Sequence, residues 1–312
     1  MLDISFATKL ANSLLSKEID RKICREYSRF EGLQRLKPEG LRNIILATDC
    51  FFEASKPSHE DGFSDLLLGM LKQEIQQEET FLSIESAEEL LFRIAYFYSD
   101  ELPWLKAQAQ EHEDGLIQQV ATSVIAETFR WDPSVFEWLK ERIINDDESN
   151  LQLAGVYALG RLYRSEVETL EILKNQIGRE DNWICRFSAS NALSEFYSTE
   201  KGIFPLLVNR VNQDNEWIVR YSALLGIADD FSLEPGAFNL FLKVFNDDPF
   251  IQTETHDKRS PRLVALKALV KNHWGTQVRA ILEKSAVADP DKHVEQWAQE
   301  QLGKLTNTNV VN

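Results

Sequence analysis

The segment Trp183-Ile184-Cys185-Arg186-Phe187-Ser188-Ala189 returns 34 residues later as Trp217-Ile218-Val219-Arg220-Tyr221-Ser222-Ala223. A fixed period of this size marks a chain built by copying one supersecondary unit. Such a unit cannot bury its apolar face alone and is stabilised by stacking on its neighbours. A chain of 312 residues would otherwise suggest about two globular domains, but a repeat core lengthens with every added unit, and one continuous array is expected.

The 34-residue step extends well beyond the two matching segments. Ala87, Ala121, Gly155, Ala189 and Ala223 share one position, and Leu91, Ile125, Leu159, Leu193 and Ile227 lie four residues on, on the same helical face. A small residue followed by a large one lets neighbouring helices approach closely. Another helix precedes this one in each unit. Its phase is set by Leu68, Leu102, Phe136, Leu170, Phe204 and Phe238, with Leu71, Leu105, Leu139, Leu173, Leu207 and Phe241 three residues later. Further on, Arg262, Ala265, Ala268 and Leu269 match Arg186, Ala189, Ala192 and Leu193, which places an eight-residue insertion between Asp247 and Pro261. A last unit pairs Leu282 with Ala298 and Leu302, and Glu295, Gln299, Glu300 and Lys304 give it the polar face of a terminal cap.

The expected organisation is therefore degenerate N-terminal helical repeats or a cap over 1–61, a repeat array over 62–305 with its insertion at 247–260, and a frayed tail over 306–312. The stretch from Ser55 to Gly62 reads as a loop by its Pro, Gly and Ser content.

Net charge is −16, from 50 acidic and 34 basic side chains, and such a field repels phosphate backbones and anionic lipid. Nucleic acid is accordingly not an expected partner. No apolar run approaches the ~20 residues that span a bilayer, so no membrane partner is expected either. The start, Met1-Leu2-Asp3-Ile4-Ser5-Phe6, lacks a basic region followed by an apolar stretch, and a cytoplasmic location is expected. Cys24, Cys50 and Cys185 are widely separated, include no CxxC pair and read as buried thiols.

A 34-residue period is also that of tetratricopeptide units, but their Trp-x-x-Leu-Gly-x-x-Tyr opening and closing Pro are missing here. Instead the turns inside the units are acidic and polar: Asp146-Asp147-Glu148-Ser149-Asn150, Arg179-Glu180-Asp181-Asn182 and Gln213-Asp214-Asn215-Glu216. The helix after each turn opens with an apolar-x-Arg motif in the two best-matched units. Asp in the turn and Arg early in the second helix resemble the HEAT repeat, in particular the short HEAT-like units of phycobiliprotein lyases and many bacterial arrays. The resemblance covers about residues 62 to 305. It implies an all-α, right-handed solenoid of about seven to eight antiparallel helix pairs, an ARM-type superhelix. It says little of activity, because the same unit serves scaffolds, regulators and a few enzymes.

Within that framework, Arg186, Arg220 and Arg262 form a ladder with two readings: a bond to a turn Asp such as Asp181 or Asp214, or contact with a phosphate or carboxylate partner. Gln118, Gln152 and Glu295 interrupt it. The acidic turns either cap helices or form a negative edge that steers a basic partner. Trp183 and Trp217 stand at equivalent places, as interface anchors or as covers for the adjacent turn. Tyr157, Asn191 and Leu225, with Arg161, Glu195 and Asp229, are expected on the concave second-helix face, where mixed apolar and charged character suits a protein partner. Phe250 is the most prominent apolar residue of the insertion, which is either a binding loop or a surface excursion.

Chemistry is not legible in the chain. His59-Glu60 and His112-Glu113 are similar to the iron-binding pairs of deoxyhypusine hydroxylase, but they fall in a loop and at a first-helix end instead of at repeat spacing on second helices. His256, His273 and His293 lack zinc spacing, and no metal or cofactor is expected. Trp131-Asp132 is the nearest pairing to the aromatic and acid of a HEAT-like alkylpurine DNA glycosylase, and it reads as the start of a helix before Pro133. The expected function is a non-catalytic protein-interaction module, such as a scaffold, regulatory or assembly factor. A bilin lyase or chromophore-handling factor is the alternative, and a DNA glycosylase ranks below it.

Overall fold

The computed structural model describes residues 45, 48–49, 62–76, 83–145, 149–253 and 257–308. Among the described residues all regular structure is helical. The first helices are α1 (Gly62–Gln76), α2 (Ile84–Phe97), α3 (Leu102–Glu111), α4 (Gly115–Thr128) and α5 (Pro133–Asn145). Next come α6 (Ser149–Leu162), α7 (Val167–Ile177), α8 (Trp183–Tyr197), α9 (Ile203–Gln213) and α10 (Trp217–Asp230). The last four are α11 (Ala237–Asp247), α12 (Pro261–Asn272), α13 (Thr276–Val287) and α14 (Lys292–Thr308). The expected cap over 1–61 and the turn at Asp146-Asp147-Glu148 lie outside the described residues, apart from isolated positions. α14 continues through Thr306 to Thr308, beyond the expected end of the array.

The chain divides into two compact units, Met1–Ala158 and Leu159–Asn312, with the boundary inside α6. In the first unit α1 packs on α2, α3 on α4, and α2 on α4. In the second unit α7 packs on α8, α9 on α10, α11 on α12 and α13 on α14, while α8, α10 and α12 pack successively on one another. The repeated positions form the core in both. Ala87, Ala121, Ala189 and Ala223 are fully buried, as are Leu91, Ile125, Leu159, Leu193 and Ile227. So are Leu71, Leu105, Leu139, Leu173, Leu207 and Phe241 on the partner helices. Each such large side chain contributes about 1.5–3 kcal/mol by leaving water.

Local chemistry sets where the helices begin. Ser83, Asp114, Asn182 and Ser260 accept hydrogen bonds from the first free N–H groups of α2, α4, α8 and α12. Gly202 and Gly236, one repeat apart, precede α9 and α11 at φ 90° and 97°, a left-handed conformation in which a side chain would strain the backbone.

Close approach between successive second helices also depends on small residues. A Cβ on Gly160 would lie 2.8 Å from Ala192 Cβ, and one on Gly226 would lie 2.4 Å from Ser194 Cβ. The two contacts are equivalent in register, so each crossing sacrifices one Cβ to bring the helices together. At the corresponding place α10 and α12 present Ala228 and Ala268.

The turns are joined by arginine. Arg186 Nε and Nη2 donate to the Asp214 carboxylate at 2.7 and 2.9 Å, while Nη1 donates to the carbonyls of Arg179 and Glu180 in its own turn. Arg220 repeats the arrangement with Asp248 at 2.7 and 3.0 Å and with the carbonyls of Asp214 and Asn215. After the insertion, Arg262 Nη2 alone holds both oxygens of Asp289, at 2.9 and 3.0 Å, and Nη1 donates to Phe245 O at 2.6 Å. Each carboxylate side chain is almost wholly buried, at 1%, 4% and 5% exposure, which places these pairs in the class where losing one partner is costly. In the first unit Gln118 Nε2 donates to His112 O, keeping the bond to its own turn.

Arg220→Ala is expected to destabilise the second unit by about 3–5 kcal/mol, since it strands the buried Asp248 carboxylate, and Arg220→Lys to lose much of this because one ammonium cannot reproduce the fork. Urea unfolding midpoints check both. Helix propensity alone would favour Gly226→Ala by about 1 kcal/mol, but displacing Ser194 costs about 1–3 kcal/mol, so a net loss is expected. Gly69→Ala in α1 meets nothing within 4 Å and should stabilise by about 0.5–1 kcal/mol in the same measurement.

Candidate functional site

Core positions on the second helices alternate with positions that the packing leaves in solvent. On α8 and α10 these are Glu195, then Leu225 and Asp229, with Asn191 half-buried. Leu225 is 37% exposed, next to the fully buried Leu224. Carrying the register from Arg220 to Arg262 takes Leu225 to Lys267 and Asp229 to Lys271. Both lysines are exposed on α12.

Between α10 and α12 these positions border an open cavity of about 250 Å³. Its apolar lining comes from Leu225, Ala228, Leu263, Val264 and Ala268. Tyr221, Asp229, Lys258, Lys267 and Lys271 supply the polar rim. The insertion contributes Lys258, whose neighbour Asp257 is taken by Arg259 through bonds of 2.9 to 3.2 Å. None of the three lysines makes an ion pair among the described residues. Burial, and after it the Lys258 charge, lowers the Lys267 pKa. Burial likewise raises that of the Tyr221 phenol, against the pull of Arg259. The rim thus holds three ammonium groups against the one carboxylate of Asp229, in a chain whose net charge is −16.

Toward the C-terminal ends of α8 and α10 the sign reverses. Asp230 has its pKa raised, first by burial and then by the charges of Asp229 and Glu195. The second-helix face therefore runs from an acidic group to a lysine-rimmed apolar cavity within one unit.

Tyr157 is half-buried on α6 in the first unit, and Arg161 is exposed on the same helix in the second. Asn191 is not free to offer its whole amide outward, because its Oδ1 accepts from Ser222 at 2.6 Å across the contact between α8 and α10. Trp183 is 42% exposed at the start of α8. Trp217, its equivalent, is stacked on Phe250 with ring centroids 4.0 Å apart and planes within 9°. The base of the insertion is fixed as well, since Asp248 Oδ1 accepts from Phe250 N–H at 2.9 Å while its carboxylate holds Arg220. Phe250 and Trp217 thus cover each other.

Of the ladder residues, Asp181 stands apart: it is exposed and held by Arg179 at 2.7 Å. Arg186 points onward to Asp214, because the buried carboxylate within reach of its Nε and Nη2 belongs to the following turn. The ladder arginines are thereby occupied within the fold. His112 and His273 are held by backbone too. His112 Nδ1 accepts from Asp114 N–H at 3.0 Å, so its Nε2 carries the proton and donates to Ile75 O at 3.0 Å. His273 Nε2 meets Ser232 O at 2.9 Å, with the ring against Phe238 and Phe241. Asp132 accepts from Ser134 N–H at 2.9 Å at the start of α5. Cys185 is buried and its thiol is pushed up to about 11 by that burial. Cys24, Cys50, His59 and His256 lie outside the described residues. Among the described residues no group of three or more His, Cys, Asp and Glu could hold a metal ion.

Lys258, Lys267 and Lys271 escaped the sequence reading. A signal for two of them existed, since one further step of the register, allowing for the insertion, puts Lys267 and Lys271 on the positions of Leu225 and Asp229. Compared with known proteins, the chain matches no family model, no curated protein and no solved structure.

Phe250→Ala is expected to destabilise the second unit by about 1 kcal/mol beyond the lost apolar area, through the stack with Trp217. A double-mutant cycle with Trp217→Ala in urea unfolding should return a coupling of about 0.5–1.5 kcal/mol. Zero coupling would show that the insertion is not held by this pair.

Proposed function

We propose that this chain is a non-catalytic protein-interaction module, acting in the cytoplasm as a scaffold, regulatory or assembly factor. In this reading the helix pairs, about seven to eight in all, stack as a right-handed HEAT-like solenoid, and the second helices line its concave side. The observation that supports the reading is the face made by Leu225, Asp229, Lys267 and Lys271, which the core does not use and which borders an apolar cavity with a charged rim. Apolar centres with polar rims are the usual anatomy of protein interfaces. The exposed turn residues Glu180, Glu216 and Asp247 would meet basic surface on the same partner, so a partner of mixed charge is expected. Nucleic acid and membrane are not the proposed targets.

The test is affinity capture from lysate of the source organism with the wild-type chain and with Arg161→Glu, Tyr157→Lys and Leu225→Lys variants, each checked for retained helicity by circular dichroism. A stoichiometric protein retained by the wild type and lost by folded Leu225→Lys is the expected outcome. Undiminished capture by all three variants would remove the second-helix face from the reading. A pigment in the eluate would favour chromophore handling instead.

A further inference from the structure

We propose that the cavity between α10 and α12 is an anchor site for an acidic peptide segment, taking one large apolar side chain into the cavity while carboxylates on either side of it meet Lys258, Lys267 and Lys271. The proposal rests on the protein-interaction reading and adds the chemistry of what is bound.

Size favours a side chain over a free small molecule. Pockets for drug-sized ligands run from about 300 to 1,000 Å³, whereas a cavity of about 150 Å³ is enough to hold benzene. At about 250 Å³ the open space has room for one aromatic or branched side chain. Composition agrees: the lining is apolar and already formed by the helices, so an anchor can enter without rearranging the core.

Charge decides the flanks. The overall charge of −16 opposes an acidic ligand at long range, but at physiological salt the Debye length is about 8 Å, and distant carboxylates are screened. What an arriving segment meets locally is three lysines and one aspartate. Asp257, the carboxylate next to Lys258 in sequence, is neutralised by Arg259. The crowding of Lys267 by Lys258 adds to the complementarity, since an anion placed between them relieves their mutual repulsion.

The experiment is fluorescence anisotropy with the full chain and short fluorescein-labelled peptides. The first has a single Phe flanked on both sides by Asp and Glu; in the second the flanks are Lys and Arg; the third keeps the acidic flanks but replaces Phe by Ser. Octanoate serves as the small-carboxylate probe, its binding read by calorimetry. The expected result is selective binding of the first peptide, weakened by added salt. Affinity should fall about tenfold in K258Q/K267Q/K271Q, whose exposed substitutions leave the core intact, and fall again in Leu225→Asp. Equal or better binding of the basic-flanked peptide overturns the acidic assignment and leaves the protein-interaction reading standing. Octanoate binding without any peptide binding overturns the peptide-anchor inference, by making the cavity a small-molecule site, and leaves the protein-interaction reading to the capture variants. Equal binding by the wild type and the triple lysine variant, or no binding of any probe, overturns the inference alone, because the partner-capture variants judge the broader reading separately.

Discussion

Successive turns of the second unit are joined by a guanidinium that faces two ways. Arg186 and Arg220 each tie the carbonyls of their own turn to a carboxylate in the turn that follows. Alone, a buried carboxylate such as that of Asp214 would be untenable, and so would a buried guanidinium; together, with the backbone acceptors, their hydrogen-bonding capacity is largely used. The same carboxylate shapes its own turn, since Asp214 Oδ1 accepts from Glu216 N–H and Asp248 Oδ1 from Phe250 N–H. One pair of side chains therefore sets turn geometry, helix start and the relation of adjacent turns.

The insertion shows how tolerant this linkage is. Residues added before Pro261 change which carbonyl the arginine meets, from the turn itself to Phe245, and turn the fork end-on to Asp289. The pairing persists. The added loop is pinned at its base by Asp248 and Phe250 and carries Lys258 to the edge of the cavity. A departure from the repeat is thereby placed where it alters a surface and spares the core.

Much of the helical layout was legible because burial is periodic. Ala189 and Leu193, Ala223 and Ile227 carry the register in their size alone, and the structure buries all four completely. The partner of Arg186 was less so: sequence proximity favours Asp181, whereas reach and burial select Asp214, 28 residues away. Asn191 and Phe250 read as surface residues because polarity and an aromatic in a loop suggest exposure, yet one bonds Ser222 and the other stacks on Trp217. Neither contact leaves a periodic trace. Lys258, Lys267 and Lys271 were hidden by scale, since three lysines vanish in a net charge of −16 and matter only once the fold gathers them at one rim.

The arginine ladder has a direction. Every rung reaches toward the C-terminus, from Arg186 to Asp214, Arg220 to Asp248 and Arg262 to Asp289. During synthesis each arginine therefore emerges before the carboxylate that neutralises it, and a unit remains electrostatically incomplete until the next turn has been made. Truncation is asymmetric for the same reason. Cutting from the front removes an arginine together with its own turn and leaves an aspartate that can still face water at a new end. Cutting from behind strips the counter-charge from a guanidinium already seated on the carbonyls of its own turn. Each of these turns is thus completed only by the one made after it.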